Sequence, residues 1–274
     1  MNSKDLFRRE VSQCSNDPRV LIDSELKDHE YVKSFGFEWT KIDGFIGKES
    51  MSHGHIFGRF LLPNNFFRKK VVLDVGCGNG RIGRLIAPHA ASYIGCDLSE
   101  AVYAFPNYLK TNNITLVRAS GTDLPFNNEF ADVAVCWGVL HHMNHPYKGL
   151  DELFRVVKPG GEILIFIYSK GYDSRENLNR FVKNINEDKK YEIIEETSDF
   201  LDGWREVDPF YANELSKNLS QSVKQSREWQ IFQWFDGISP DFHWSLEEGF
   251  EKHFAEKNII FKKTQMGCYR IKKK

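Results

Sequence analysis

VVLDVGCGNGRIG, residues 71–83, reads as a short buried strand, a glycine-rich turn and the opening of a helix. Glycines let a backbone turn sharply and come close to a ligand, and a helix N-terminus presents N–H groups with no partner inside the helix. Such a turn alone is common. Its details narrow it. Asp74 stands two residues before Gly76, at the strand end, where a carboxylate repels a diphosphate but suits a cationic amino acid group, directly or through water. The glycines at 76, 78 and 80 give G-x-G-x-G, whereas the dinucleotide fingerprint G-x-G-x-x-G needs glycine at 81, which is Arg81.

Working outward, β-branched runs alternate with helical segments from residue 70 onward, the sequence form of βαβ units and a parallel sheet. Strands are predicted at Val71 to Val75, Ser92 to Cys96, Thr115 to Ala119, Ala131 to Trp137 and Glu162 to Tyr168. Helices are predicted at Arg81 to Ala87 and at Tyr147 to Val157, the second carrying Leu150, Leu153, Phe154 and Val157 on one face. After Tyr168 the alternation breaks for about 75 residues, too long for a connection without structure of its own. It returns at Ser245 with a capping box to Glu248, then Asn258 to Gln265 and Gly267 to Lys273 form a terminal antiparallel hairpin. The fold class is therefore α/β, doubly wound around a mostly parallel sheet. Four segments follow: an N-terminal helical and aromatic extension at 1–68, a nucleoside-binding core at 69–170, an inserted helical cap at 171–244, and the last helix and hairpin at 245–274.

Two further strand ends carry ligand chemistry. YIGCDLSEAV, residues 93–102, ends its strand on Asp97, where an acidic side chain takes both hydroxyls of an adenosine ribose, and Ser99 then caps the next helix. Gly121-Thr122-Asp123-Leu124-Pro125-Phe126 supplies a polar and an apolar residue able to hydrogen-bond and sandwich an adenine ring.

LDVGCGNG at 73–80, IGCDLSEAV at 94–102, GTDLPFNNEFADVAVCWGVLHHM at 121–143 and VVKPGGEILIFIY at 156–168 together resemble the successive motifs of class I S-adenosylmethionine-dependent methyltransferases of the small-molecule, ubiquinone-biosynthesis-like type. The resemblance covers about residues 70 to 170 and recurs at 245 to 273. It implies a seven-stranded Rossmann-like sheet, S-adenosylmethionine as cofactor and S-adenosylhomocysteine as product. It also implies Gly76 and Gly78 beside the methionine part, Asp97 on the ribose, Asp123 and Leu124 at the adenine, and Trp137 and His142 on the methyl-transfer side. Cys77, Asn79, Leu98 and Thr122 flank these positions in the same turns, and with Asp74 they complete the expected cofactor contacts.

Methyl transfer needs an in-line nucleophile about 3 Å from the methyl carbon and exclusion of water, so alignment carries much of the catalysis. No metal is required. If the nucleophile is a hydroxyl, the candidate bases are His142 and His141 after the fourth strand and His243 in the cap. For His142 two readings are open, a general base or a packing residue beneath the cofactor. The cap ends in WFDGISPDFHWSLEEGF, residues 234–250, which is similar to a stretch near the end of some bacterial family members, and Asp236 and Trp244 are taken from it as acceptor-side residues.

Composition bounds the partners. Lys and Arg number 37 against 38 Asp and Glu, a net charge of -1 that offers no general attraction to nucleic acid or an anionic membrane. There is no Asn/Asp-Pro-Pro-aromatic motif after the fourth strand, no Pro-Cys nucleophile and no paired-glutamate loop. A small-molecule acceptor is therefore expected, with no nucleic acid and no membrane span, and the oligomeric state stays open. Five cysteines without a C-x-x-C pair, and no apolar leader, point to a reducing compartment, the cytoplasm. Two other function classes share some of these features: a nicotinamide-dependent oxidoreductase, through the glycine turn and Asp97, and a non-catalytic module that binds the same cofactor.

Overall fold

The computed structural model describes residues 6–27, 31–37, 39–40, 54–106, 113–168, 185–196, 246–256, 259–265 and 267–274. The centre is a parallel sheet of β3 (Val71–Val75), β4 (Ser92–Asp97), β5 (Ile114–Arg118), β6 (Ala131–Trp137) and β7 (Val157–Phe166). β3 lies between β4 and β6, so the chain runs out to β5 on one side and to β7 on the other. That reversal opens a crevice at the strands' carboxyl ends, where such sheets take their ligands.

The expected terminal hairpin forms from β8 (Phe261–Gln265) and β9 (Cys268–Lys272), and it closes the β7 side with β9 antiparallel to β7. The other side differs from expectation. β1 (Val11–Gln13) and β2 (Val20–Asp23) lie in the segment read as helical, and β2 pairs parallel to β5 from Val20↔Leu116 to Ile22↔Arg118. Among the described residues the sheet therefore has nine strands, not seven, in the order β1-β2-β5-β4-β3-β6-β7-β9-β8. The cause is the β5 edge, whose unpaired backbone groups are satisfied by any adjacent extended run, and Val20-Leu21-Ile22 is β-branched and apolar enough to supply one.

Side chains alternate across the strands and feed two cores. On one face Leu73, Val75, Ile94, Ala134 and Ile163 pack with Leu150 and Leu153 of α3 (Pro146–Val156) and with Phe250 and Phe254 of α4 (Leu246–Glu256). On the other, Val72, Leu116, Val133 and Leu164 pack against Ile82 and Ile86, beside and within the four-residue helix α2 (Gly83–Ile86), and against Ile56, Phe57, Phe60 and Phe67. Each fully buried large aliphatic or aromatic side chain stabilises by about 1.5–3 kcal/mol, so Phe60 and Phe67 fasten residues 54–67 to this face. Helix α1 (Tyr31–Phe37) lies over the turn that follows β4, with Gly36 near Ser99 and Glu100.

Of the expected cap at 171–244, residues 185–196 are described, and 187–196 are helical. His243, Asp236 and Trp244 lie outside the described residues. Among those described, no helix is long and apolar enough to cross a membrane, and no group of three His, Cys, Asp or Glu side chains could hold a metal ion.

Candidate cofactor and acceptor site

A cavity opens at the tips of β3, β4, β5 and β6, and its wall contains Gly76, Cys77, Gly78, Asn79, Asp97 and Leu98 together with Thr122, Trp137 and His142. Each owes its place to local chain chemistry. At the end of β3, the N–H groups of Gly76 and Cys77 both donate to the Cys96 carbonyl, at 2.7 and 3.1 Å, which ties the turn to the end of β4. Gly76 holds φ at +76°, and a Cβ there would stand 2.2 Å from Val139 Cγ2, so only glycine lets this turn meet the loop after β6.

Asp97 closes β4 with its carboxylate turned back on the turn. It accepts hydrogen bonds from Gly78 N–H at 2.7 Å, from Ser99 N–H at 2.8 Å and from Ser99 Oγ at 2.7 Å. Burial pushes its pKa up, while the bonds from Ser99 and Gly78 and the charge of Arg118 pull it down, and the net direction is upward. The carboxylate uses three of about four acceptor sites on protein donors, leaving capacity for a ligand hydroxyl. Ser99 also caps the following 3-10 turn, accepting from Ala101 N–H.

The stretch after β5 lines the cavity with other residues than those expected at the adenine. Ser120, Gly121 and Thr122 form the wall, with the Ser120 and Thr122 hydroxyls 2.9 Å apart. Asp123 and Leu124 are not on that wall. Asp123 is ion-paired with Arg8 and Arg9. Leu124 is fully buried; its N–H donates to Glu152 Oε2 at 2.7 Å and its carbonyl accepts from Arg8 Nε at 2.9 Å. β5 ends at Arg118, so the first residues past the strand tip face the crevice, and by 123 the chain has turned onto the N-terminal segment.

Asp74 is also absent from the wall. Its carboxylate is buried under the turn and accepts from the Tyr93 hydroxyl at 2.6 Å. Burial pushes its pKa up to about 7, against the opposing effect of the Tyr93 bond. At this end it acts on the turn through field and packing rather than by touching a ligand in the cavity.

The opposite end is aromatic. Trp137 ends β6, Gly138 N–H is held by the Phe166 carbonyl at 2.8 Å, and the chain turns through residues 140–142 to bring His142 to the wall. The His142 ring is 4.7 Å from that of Phe35. His141 is buried behind the wall, its ring centroid 4.4 Å from that of Tyr168. Tyr168, Phe35 and Trp39 join the wall, and Arg81 lies over the Trp39 ring at 4.8 Å. The motif reading passed over these four and over Ser120 and Gly121. The small run Ala119-Ser120-Gly121 directly after a β-branched strand was the available signal for this part of the wall. Phe35 and Trp39 come from a segment without strand or helix periodicity and had none.

The wall suits a nucleoside bearing an amino acid. The half-buried Asp97 carboxylate stands on the wall with capacity for hydroxyls, the small residues Ser120 and Gly121 line it, and a Cβ at Gly78 would come within 3.8 Å of the Trp39 ring.

Residues 73–165 match the family model described as methyltransferase domain. A tRNA (carboxymethyluridine(34)-5-O)-methyltransferase of Arabidopsis thaliana is 31% identical over 147 residues, 53% of this chain and 31% of that protein. A demethylmenaquinone methyltransferase of Clavibacter sepedonicus is 33% identical over 112 residues, covering 37% of this chain and 46% of the relative. A tRNA U34 carboxymethyltransferase of Campylobacter curvus is 30% identical over 204 residues, 73% of this chain and 66% of the relative. The chain thus spans only 31% and 46% of the length of the first two of these. Residues 73–165 are a class I methyltransferase domain, and its cofactor is S-adenosylmethionine.

Proposed function

We propose that this chain transfers a methyl group from S-adenosylmethionine to a small or medium-sized acceptor by in-line displacement. The observation that carries this reading is the single cavity wall that joins Asp97 at one end to Trp137 and His142 at the other. Asp97 holds the ribose hydroxyls, Ser120 to Thr122 and Leu98 flank the adenine, and the 76–79 turn meets the methionine part. When bound, S-adenosylmethionine would supply an activated methyl group, taken by the acceptor's lone pair as the methyl–sulfur bond breaks, with S-adenosylhomocysteine leaving and the acceptor's proton going to base or solvent. The chain contributes by holding both partners in line and by excluding water with Phe35, Trp39 and Tyr168. His142 stands where a base is useful, packed edge-on against Phe35, so alignment of the acceptor and removal of its proton are both within its reach.

A second reading, an RNA acceptor, is favoured by the relatives named for tRNA modification. Against it stands a chain of net charge -1, with no general pull on a phosphate backbone. Incubation with methyl-labelled S-adenosylmethionine and a host extract, split by ultrafiltration and with one arm treated with ribonuclease, separates the two. Label in the low-molecular-weight filtrate is expected; ribonuclease-sensitive label in the retained fraction overturns the small-acceptor reading. A thermal shift with S-adenosylhomocysteine and none with NADH is also expected, and the reverse would restore an oxidoreductase. Tight binding without labelling of any fraction would reduce the chain to a cofactor-binding module.

A further inference from the structure

Arg59 differs from three other half-buried arginines. Arg9, Arg155 and Arg270 each have a carboxylate partner, Asp23, Glu152 and Glu162 respectively. Arg59 has neither an ion pair nor a hydrogen bond among the described residues. Its guanidinium lies instead over two aromatic rings, 5.2 Å from the centroid of Phe166 and 5.7 Å from that of Trp137. A guanidinium carries five N–H donors and stays charged, and partial burial without compensating acceptors is costly. Ring faces offset part of that cost and leave the donors unused.

Its position is set by its neighbours. Ile56, Phe57 and Phe60 are buried in the core beside it, and the Leu62 N–H to Phe57 carbonyl bond of 2.8 Å closes the turn around it. Trp137 is a wall residue of the cavity, and Phe166 lies 5.7 Å ring to ring from Tyr168, another wall residue. The guanidinium is therefore one ring's width behind the aromatic end of the cavity. Apolar rings around it screen its field poorly, so it is felt there more strongly than an exposed cation would be.

We propose that Arg59 is an acceptor-binding residue and that the acceptor is a small molecule carrying an oxyanion, carboxylate or phosphate, which meets the guanidinium at the edge of Trp137. This rests on the reading that Trp137 and His142 face the acceptor. A planar fork of donors suits either oxyanion, and its offset from the methyl-transfer end places the anionic group about one aromatic ring from the atom methylated.

The test has two arms with different readouts. In the first, the full chain with S-adenosylhomocysteine is treated with the arginine reagent phenylglyoxal, with and without inorganic phosphate or acetate, and peptides are mapped by mass spectrometry. Modification of Arg59 should slow severalfold with one of the two anions, and which anion protects separates phosphate-bearing from carboxylate-bearing acceptors; Arg270, paired with Glu162, should be indifferent. Unchanged modification in both anions overturns the proposal, and so does an Arg59 that never reacts, because a shielded guanidinium cannot meet an acceptor. In the second arm, label transferred to the filtrate of a host extract should be retained on an anion exchanger. Arg59→Gln should lower that labelling at least about tenfold, and Arg59→Lys should restore part of it, with S-adenosylhomocysteine affinity kept in both. Label in a neutral product or in RNA, or equal labelling by Arg59→Gln, overturns the proposal. Anion protection with no labelling anywhere defeats the methyl-transfer reading and leaves the anion site standing.

Discussion

The Arg9 guanidinium donates through Nε to Asp23 at 2.7 Å, joining the N-terminal segment to the buried end of β2. The same guanidinium donates to the Asp123 carbonyl at 2.6 Å, so one side chain binds the added edge of the sheet to the loop that carries Ser120 to Thr122. Hydrogen bonding to Asp23 raises the Arg9 pKa above its ordinary value. Arg9→Ala would leave Asp23, 2% exposed, charged and without its partner. Breaking a buried pair in this way costs about 3–5 kcal/mol, and the loss is expected as a lower urea midpoint. Arg9→Ala with Asp23→Asn should be less damaging than Arg9→Ala alone; an equal or greater loss would show that the pair is not what stabilises this edge.

Removing the Asp97 carboxylate should weaken cofactor binding by at least about tenfold, the worth of one charge-assisted hydrogen bond. Asp97→Asn keeps one acceptor oxygen, which can serve either Gly78 N–H or Ser99 but not both, so it should lie between wild type and Asp97→Ala. Calorimetric titration with S-adenosylhomocysteine measures all three, and wild-type affinity in Asp97→Ala would remove the ribose assignment.

Gly76→Ala meets two obstacles, a φ of +76° and a Cβ 2.2 Å from Val139. Residues held in such a conformation cost of order 1–3 kcal/mol before any clash. Lower thermal stability and loss of cofactor binding are expected. Adding Val139→Ala removes the two Cγ contacts but leaves a Cβ 2.9 Å away, so it should return only part of the loss; full recovery would place the whole effect in packing and none in the backbone.

Asp74 makes stability depend on pH in the direction opposite to most carboxylates. Its folded pKa, about 7, lies above its ordinary value of 3.8, so the folded state binds the proton more tightly than the unfolded chain. Stability from this group is complete below about pH 4 and falls as pH rises toward 7. Asp74→Asn removes this dependence. Urea unfolding across that window should therefore show the stability of Asp74→Asn gaining on wild type as pH rises, and parallel curves would contradict the assignment.

Much of the core was legible because its signals are periodic or local. The β-branched runs at 71–75 and 131–137 became strands with those bounds, and the Leu150, Leu153 face of α3 was visible as helical spacing. That the glycine turn and Asp97 stand at strand tips on the cavity wall was legible because each directly ends or follows a β-branched run. Asp123 and Leu124 were expected on the cavity wall and lie off it, because polarity was easy to see at Thr122 and Asp123, while the turn that directs Asp123 onto Arg8 and Arg9 is a tertiary event. β1 and β2 were missed for a related reason. A three- or four-residue strand has almost no periodicity, and what makes Val20 to Asp23 extended is the waiting edge of β5, more than ninety positions away in the chain.

The two outer strands differ in how they meet solvent. β1 is only three residues long, and β8, Phe261–Gln265, turns Lys262 and Lys263 outward. Short length at one rim and ammonium groups at the other leave no long, flat, apolar template on which a foreign chain could continue the ladder, so the sheet ends by its own composition and is guarded against edge-to-edge aggregation.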